Sequence, residues 1–430
     1  MIHGVTKSDE VMTTDTCIAG AGPHGLAAAL HLKQVNPSAD ITVIDHSDQW
    51  LATWNRQFKY SEIATLRSPI VHHPSPHPYA LTDFVKSREL SRSGLPYDPP
   101  TTEAFTAFCA EIIADSTLSP PIAATLESLR SNHQGLELET SSGTLRAQNL
   151  IIATIPHQRV IPQWTWSLIG RQPGLVDHAL DVNLPDLSDL SGQKIAIIGG
   201  GLTAAHLARN AATKGAAVKM IARRPLQIRD FDTEPGWLGP KYLTKYLAES
   251  DERLRIQAAR EARGGGSIPG WMRDHLEEPT GEGRIEILES TEVVSAQVTS
   301  PRGCMLELNN GETVHSDRVW LATGTQNSIQ SMRCLHSVLD DIPVIDGFPL
   351  VDQSLRLGPH PIFIMGRSAT FALGPAAGNL WGARHAAHRI TAAITGIELA
   401  PDGLVVGIEA PGNPKLVKTI FKLGQYASMG

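Results

Sequence analysis

Two glycine-rich runs in this chain have the residue types and spacing to bind phosphates. The first, TCIAGAGPHGLAAALHL, places Gly20, Gly22 and Gly25 in a G-x-G-x-x-G spacing between an apolar strand and a small-residue helix. Such a turn sets free backbone N–H groups, at the positive end of a helix, against a pyrophosphate. The following strand, ITVID, ends at Asp45, whose carboxylate suits a ribose 2′-hydroxyl and would repel a phosphate in that place. The second run, KIAIIGGGLTAAHLA, carries Gly199, Gly201 and Ala204 as G-x-G-x-x-A, and its next strand, AVKMIARR, ends in Arg223 and Arg224. Paired guanidiniums match a 2′-phosphate. The chain is therefore expected to hold an unphosphorylated adenosine dinucleotide such as FAD in its first site and NADPH in its second.

Each turn needs a sheet to hold it, and the sequence supplies one twice. In the first half, GLELETSSGTLRAQNLIIAT reads as two alternating runs around a Ser-Ser-Gly turn and a returning apolar strand that closes on Ala153 and Thr154. In the second half, CMLELNNGETVHSDRVWLATGT repeats this around Asn309, Asn310 and Gly311 and closes on Ala322, Thr323 and Gly324. A small Ala-Thr-Gly end lets backbone pass close to a cofactor, so Thr323 and Gly324 join the candidate cofactor contacts. The expected fold is α/β, with two Rossmann-like dinucleotide-binding domains. The NADPH domain (181–325) is inserted in a discontinuous FAD domain (1–180 and 326–430), with the proline-bearing IPHQRVIPQW marking the outward crossing. Inside the insertion, GGGSIPGW leaves two readings open: a plain connection, or a mobile element over the nicotinamide.

Composition narrows the class. A chain of 430 residues with 41% apolar content and a net charge of −7 can bury substantial cores, and it lacks the basic cluster of a nucleic-acid binder. No apolar run approaches the roughly 20 residues of a membrane span. The N-terminal MIHGVTKSDEVMTTDT lacks the apolar region of a secretory signal, so a cytoplasmic enzyme is expected. Cys17, Cys109, Cys304 and Cys334 are scattered without a C-x-x-C pair, which argues against the thioredoxin reductase type of electron relay through a close redox disulfide. His72, His73 and His77 in HHPSPHP are broken up by prolines and read as a loop near the substrate or surface rather than a metal site. No metal is expected. G-x-S-x-G and H-E-x-x-H are both missing, so serine hydrolase and zinc protease chemistry find no support.

The paired glycine turns, the LATGT segment and the run MGRSATFALGPAAGNLWGARHAAHRI resemble the class B flavin monooxygenases, a group that includes the flavin-containing, Baeyer–Villiger and N-hydroxylating amine enzymes. Within it, EIATLRSPIVHHPSPHPYALTDFV is similar to the N-hydroxylating branch, whose Leu-Arg-Asp-Pro stretch corresponds to Leu66, Arg67, Ser68 and Pro69. The resemblance implies that NADPH reduces FAD, that dioxygen adds to give a C4a-hydroperoxyflavin, and that this species oxygenates a heteroatom, an amine nitrogen first, of a small metabolite. It also implies a homo-oligomer, while charge and hydropathy point to no nucleic-acid or membrane partner. The cofactor carries the hard step, and the protein supplies a dry cavity and neutral hydrogen-bond donors. Gln57 and Asn379 are the candidate catalytic donors, and Trp54 and Gly366 are added to the cofactor contacts. An alternative is an NADPH-dependent flavin oxidoreductase or oxidase without oxygen insertion. A further one is a nucleotide-binding redox sensor. The flavin-containing fingerprint F-x-G-x-x-x-H is half present, at Gly174 and His178, with Gln172 and Val182 where aromatics are expected. His178 is read either as a coupling residue of the linker or as an ordinary exposed histidine. Asp230, Asp232 and Glu234 line a site entrance or form a solvated face.

Overall fold

The computed structural model describes residues 11–95, 97–154, 157–299 and 302–397; the start of the polar lead-in and the tail after Gly403, read from sequence as a short addition, lie outside them. Strand β1 (Met12–Ala19) runs through the first glycine turn into helix α1 (Pro23–Val35) and strand β2 (Ile41–Asp45). Helices α2 (Ala52–Tyr60), α3 (Ala80–Ser87) and α4 (Thr102–Ala114) follow and close around Phe84, Phe105 and Phe108. The first sheet is completed by β3 (Ile122–Ala123), β4 (Leu126–Asn132), β5 (Gly135–Thr140) and β6 (Gly143–Ile152), in the order β3-β2-β1-β6-β5-β4. The β5–β6 hairpin turns at Ser141-Ser142, with Thr140 opposite Gly143. Parallel pairing of β1 with β2 and β6 brings Ala19 level with Ile44 and Ile152, which puts the first turn at the carboxyl edge of the sheet. Ile18, Leu150, Ile151 and Ile152 are fully buried, as strands covered on both faces must be. Each contributes roughly 1.5–3 kcal/mol of burial.

The chain leaves through β7 (His157–Arg159) and enters a second sheet at β8 (Val176–His178). The second sheet also holds β9 (Lys194–Ile198), then past helix α5 (Leu202–Thr213) β10 (Ala217–Ala222). Helices α6 (Pro240–Ala248), α7 (Glu252–Arg263) and α8 (Gly270–Gly281) lead to β11 (Ile285–Glu289). An antiparallel three-stranded sheet of β12 (Val293–Val298), β13 (Cys304–Leu308) and β14 (Thr313–Ser316) precedes the returning strand β15 (Arg318–Leu321). All pairings in the second sheet, ordered β11-β10-β9-β15-β8, are parallel. Val176–His178, on the first side of the boundary expected at 180/181, is thus an edge strand of the second sheet.

Strand β16 (Thr325–Asn327) pairs antiparallel with β7, so the outward and return crossings are hydrogen-bonded to each other. A small hairpin of β17 (Val344–Ile345) and β18 (Phe348–Pro349) follows. Strand β19 (Ile362–Ile364) then pairs parallel with β6, returning the chain to the first sheet. Helix α9 (Thr370–Leu373) and helix α10 (Leu380–Thr395) come last, and α10 lies along α1 in a shared core of alanines with Ile390. His178 is not the exposed histidine that its polar neighbourhood implied. Pairing of β8 with β15 buries it, and its Nε2 lies 3.2 Å from the Gly324 carbonyl.

Candidate functional site

The first turn has the shape of a phosphate cradle. Gly20 takes a φ of +113°, and a Cβ there would stand 2.9 Å from backbone atoms of Ala153 and Thr154. A Cβ on Gly25 would overlap the Gly20 carbonyl. Gly22 caps α1 without any side-chain hydrogen bond, no acidic residue stands in the first helical turn, and a Cβ on Gly22 would meet nothing within 4 Å. The amides at this helix end are left to a ligand. Asp45 is tied to the turn: one carboxylate oxygen accepts from the Ala21 N–H at 2.8 Å, the other lies 2.6 Å from His46 Nδ1. A carboxylate has lone pairs beyond these. Trp54 stacks on Phe58 at 4.7 Å, and its buried indole N–H has no acceptor among the described residues. Gly366, with a φ of +72°, closes the other side, where a Cβ would stand 4.0 Å from His24 Nε2.

The second turn repeats the plan. A Cβ on Gly199 would overlap the Ala322 carbonyl, as one on Gly20 would crowd Ala153, so the internal echo in the sequence is a real repetition in space. Gly201 caps α5, again with no side-chain cap and no acid in the first turn, and Ala204 is buried. Arg223 and Arg224 follow the end of β10 and are exposed, with Arg224 Nη2 donating to the Gly265 carbonyl at 3.3 Å. The GGGSIPGW segment lies at this turn: Cβ atoms on Gly264 and Gly265 would overlap the Arg229 and Arg224 guanidiniums, and one on Gly201 would stand 3.7 Å from Gly266 Cα. Thr323 and Gly324 are hydrogen-bonded to the outward crossing. Thr323 Oγ1 donates to Val160 O at 2.5 Å, and the Val160 N–H donates to Gly324 O at 3.1 Å. Ala322, the first residue of that Ala-Thr-Gly end, sets its carbonyl against Gly199 of the second turn.

Between β10 and α8, residues 229–268 leave the second sheet, and several of them dock on the first unit. Arg67, from the Leu-Arg-Ser-Pro stretch, reaches across with Nε to Asp230 O (2.9 Å), Nη2 to Arg229 O (2.7 Å) and Ser267 Oγ (2.9 Å), and Nη1 to Ser267 O (3.2 Å). Tyr246 donates to Thr370 O at 2.8 Å, Arg255 to Phe371 O, and Arg260 pairs with Asp346 at 2.8 Å. Asp232 lies at the inner end. Its Oδ2 pairs with Arg263 at 2.8 Å and its Oδ1 accepts from Asn379 Nδ2 at 3.0 Å. Burial alone would raise the Asp232 carboxyl, but Arg263, Arg67 and the Asn379 hydrogen bond outweigh it and hold it below the usual range. Burial pushes Arg67 and Arg367 down to about 10, and both stay charged at neutral pH. Sequence reasoning left Asp232 between an entrance and a solvated face; it is an inter-unit contact. Asp230 contributes its carbonyl, and Glu234 accepts from Tyr242 at 2.9 Å on the exposed side.

The two candidate catalytic donors are placed differently. Asn379 caps α10 beside the first turn, since His24 Nε2 lies 3.3 Å from Ala377 O. Gln57 lies half-buried on α2, and among the described residues no side-chain hydrogen bond joins it to Asn379, Asp232 or either turn. The HHPSPHP loop is packed more tightly than its prolines implied: His73 is fully buried against Phe108, with Nε2 3.1 Å from Pro78 O, while His77 is exposed. Among the described residues no group of His, Cys, Asp and Glu could hold a metal ion, and no helix is long and apolar enough to cross a membrane. All four cysteines are buried and unpaired, and burial pushes the Cys17 thiol up to about 12 and those of Cys304 and Cys334 up to about 11. None has the thiolate character that disulfide exchange requires.

The chain belongs to the pyridine nucleotide-disulphide oxidoreductase family, whose family model matches residues 17–265, more than half of its length. It is an oxidoreductase whose cysteines do not supply the disulfide of the family's description. No curated protein sequence matches it significantly. Its fold is shared with solved structures of a monooxygenase, an N-hydroxylase and a disulfide reductase. The FAD-bound cadaverine monooxygenase DfoA of Erwinia amylovora is 15% identical, with a TM-score of 0.71 over 93% of this chain and 100% of that one. The ornithine N-hydroxylase KtzI of Kutzneria sp. 744, solved with reduced FAD, NADP+ and L-ornithine, is 15% identical, with a TM-score of 0.73 over 89% of this chain and 99% of that one. The bacillithiol disulfide reductase of Staphylococcus aureus is 17% identical, with a TM-score of 0.60 over 90% of this chain and 99% of that one.

Proposed function

We propose that this protein is an FAD- and NADPH-dependent monooxygenase that transfers one oxygen atom of dioxygen to a heteroatom of a small metabolite, an amine nitrogen being the first class to test. The observation that carries this reading is the pairing of two uncapped glycine turns with opposite charges behind them, Asp45 after the first and Arg223 with Arg224 after the second. Gly20, Gly22, Gly25, Asp45, Trp54 and Gly366 would hold FAD; Gly199, Gly201, Ala204, Arg223 and Arg224 would hold NADPH. Bound FAD supplies hydride acceptance and the reaction with dioxygen. The chain's own residues bind and orient the two dinucleotides, and Arg67 with residues 229–268 closes their shared side against water. Unreactive thiols argue against a protein disulfide as the electron acceptor.

The test is anaerobic reduction of the FAD-loaded protein by NADPH and by NADH, followed by rapid mixing with oxygenated buffer and a screen of amines and sulfides. The expected results are faster reduction by NADPH, a transient absorbance band distinct from oxidised and reduced flavin, and substrate-dependent incorporation of labelled oxygen. Direct return to oxidised flavin with every substrate would instead favour a reductase or oxidase, the reading that the fold similarity to a disulfide reductase supports. Equal reduction by NADH would overturn the assignment of Arg223 and Arg224.

A further inference from the structure

An asparagine at a helix N-cap ordinarily turns its side-chain oxygen back to the amides of the first helical turn. Asn379 stands at the N-cap of the 16-residue helix α10 and makes no such bond. Its Nδ2 donates outward instead, to Asp232 Oδ1 at 3.0 Å, across the boundary between the two units. The other Asp232 oxygen pairs with Arg263 Nη2 at 2.8 Å, and Arg263 Nη1 donates to Pro375 O at 3.0 Å. One carboxylate and its guanidinium thus grip both ends of the segment 375–379, whose Ala377 carbonyl touches His24 of the first glycine turn. We propose that Asp232 is a positioning residue: it draws the Asn379 amide away from its own helix, so that the head of α10 takes its working geometry only while residues 229–268 are docked on the first unit.

The consequence is a coupling between the units. With Asn379 held outward, the head of α10 has no side-chain cap and remains beside the first glycine turn. With Asp232 removed, the local competitor takes over, because the amide closes on its own helix as an N-cap residue does elsewhere. Seating of the second unit is thereby sensed at the first site through a single side chain. This inference rests on the reading of the two sites as FAD and NADPH sites.

The experiment is a double-mutant cycle on the FAD-loaded full-length protein, with Asp232→Ala, Asn379→Ala and the double variant, read as the anaerobic rate of flavin reduction by NADPH and as the visible spectrum of the oxidised flavin. If the two residues act as one unit, each single change slows reduction about tenfold, and the double variant is no slower than either. Asp232→Asn keeps an acceptor for Asn379 while losing the charge, and stays within about threefold of the parent. Multiplied effects in the double variant, or Asp232→Asn as slow as Asp232→Ala, would show that Asp232 acts only through its ion pair with Arg263 and would overturn the proposal. Should the alanine variants fail to retain FAD, the exchange Asp232→Asn with Asn379→Asp decides. Asn379→Asp alone sets two carboxylates together and slows reduction, and the exchange restores it; no restoration sinks the idea. Flavin reduction precedes any reaction with oxygen, so a parent protein without oxygenase chemistry removes the monooxygenase reading and leaves this cycle intact. A parent flavin that NADPH does not reduce overturns both.

Discussion

Gly22 and Gly25 lie three residues apart and answer different demands. At Gly25 the conflict is backbone against backbone, so a methyl group cannot be absorbed by a rotamer change. Gly25→Ala is expected to lose bound FAD and about 1–3 kcal/mol of stability, seen as a lowered flavin-to-protein absorbance ratio and a lowered urea midpoint. Gly22 has a φ of −75° and open space around its Cα, so Gly22→Ala should keep that midpoint while weakening FAD binding, because only the ligand's approach needs the missing side chain. Equal loss of stability in both variants would contradict this division. At the second site, replacing Arg223 and Arg224 by alanine should raise the KM for NADPH by about ten- to a hundredfold and leave that for NADH unchanged, the size expected for hydrogen bonds to a charged phosphate. Steady-state kinetics with both nucleotides measures it.

The excursion 229–268 is held less by its own helices than by what it docks against. Helix α7 has one local cap, Asp251 accepting from the Arg253 and Leu254 amides, yet its outward arginines Arg255, Arg260 and Arg263 all end on groups of the first unit. Arg67 is the reciprocal contact, a planar fork satisfying three carbonyls from two separate loops. Lysine offers a point charge and cannot reproduce the fork. Arg67→Lys is therefore expected to cost about 1–3 kcal/mol through the carbonyls it leaves unpaired. It should also speed tryptic cleavage within 229–268 at a temperature where the parent is resistant. A cleavage rate unchanged in the variant would show that the excursion docks without this residue.

Across the whole molecule, acid is the condition the fold tolerates least. Burial pushes His24 and His72 down to about 4, and His31 and His73 down to about 3, so in the folded protein all four are neutral well below the ordinary histidine range. The unfolded chain binds their protons near pH 6.5. Stability from this neutrality is complete above that value and falls as the pH drops toward 4, with a slope of up to about 1.4 kcal/mol per pH unit for each fully buried ring. Asp232 acts in the same direction, since its lowered folded pKa contributes stability that is lost as acid protonates it. The expected outcome is a melting temperature that declines steeply between pH 6.5 and 4.5, and a shallower decline in His73→Phe. Equal slopes in parent and variant would remove His73 from the account.

The sequence by itself determined the two turns, their order, and the charge behind each. These follow from short-range rules: a tight turn needs glycine, a buried parallel strand needs an unbroken apolar run, and the residue ending the second strand faces the ribose. The hairpins at Ser141-Ser142 and at Asn309–Gly311, and the small ends of the returning strands, were legible for the same reason. Burial of His178 and His73 was not, because their neighbours in sequence are polar or proline and the groups that enclose them come from distant strands and helices. The seat of GGGSIPGW on the second turn, the reach of Arg67, and the Asp232–Asn379 bond all join residues about 40 to 200 positions apart. No periodicity encodes such pairings. They arise only when two sheets, each predictable alone, are packed together and their charged and amide groups must find partners across the boundary.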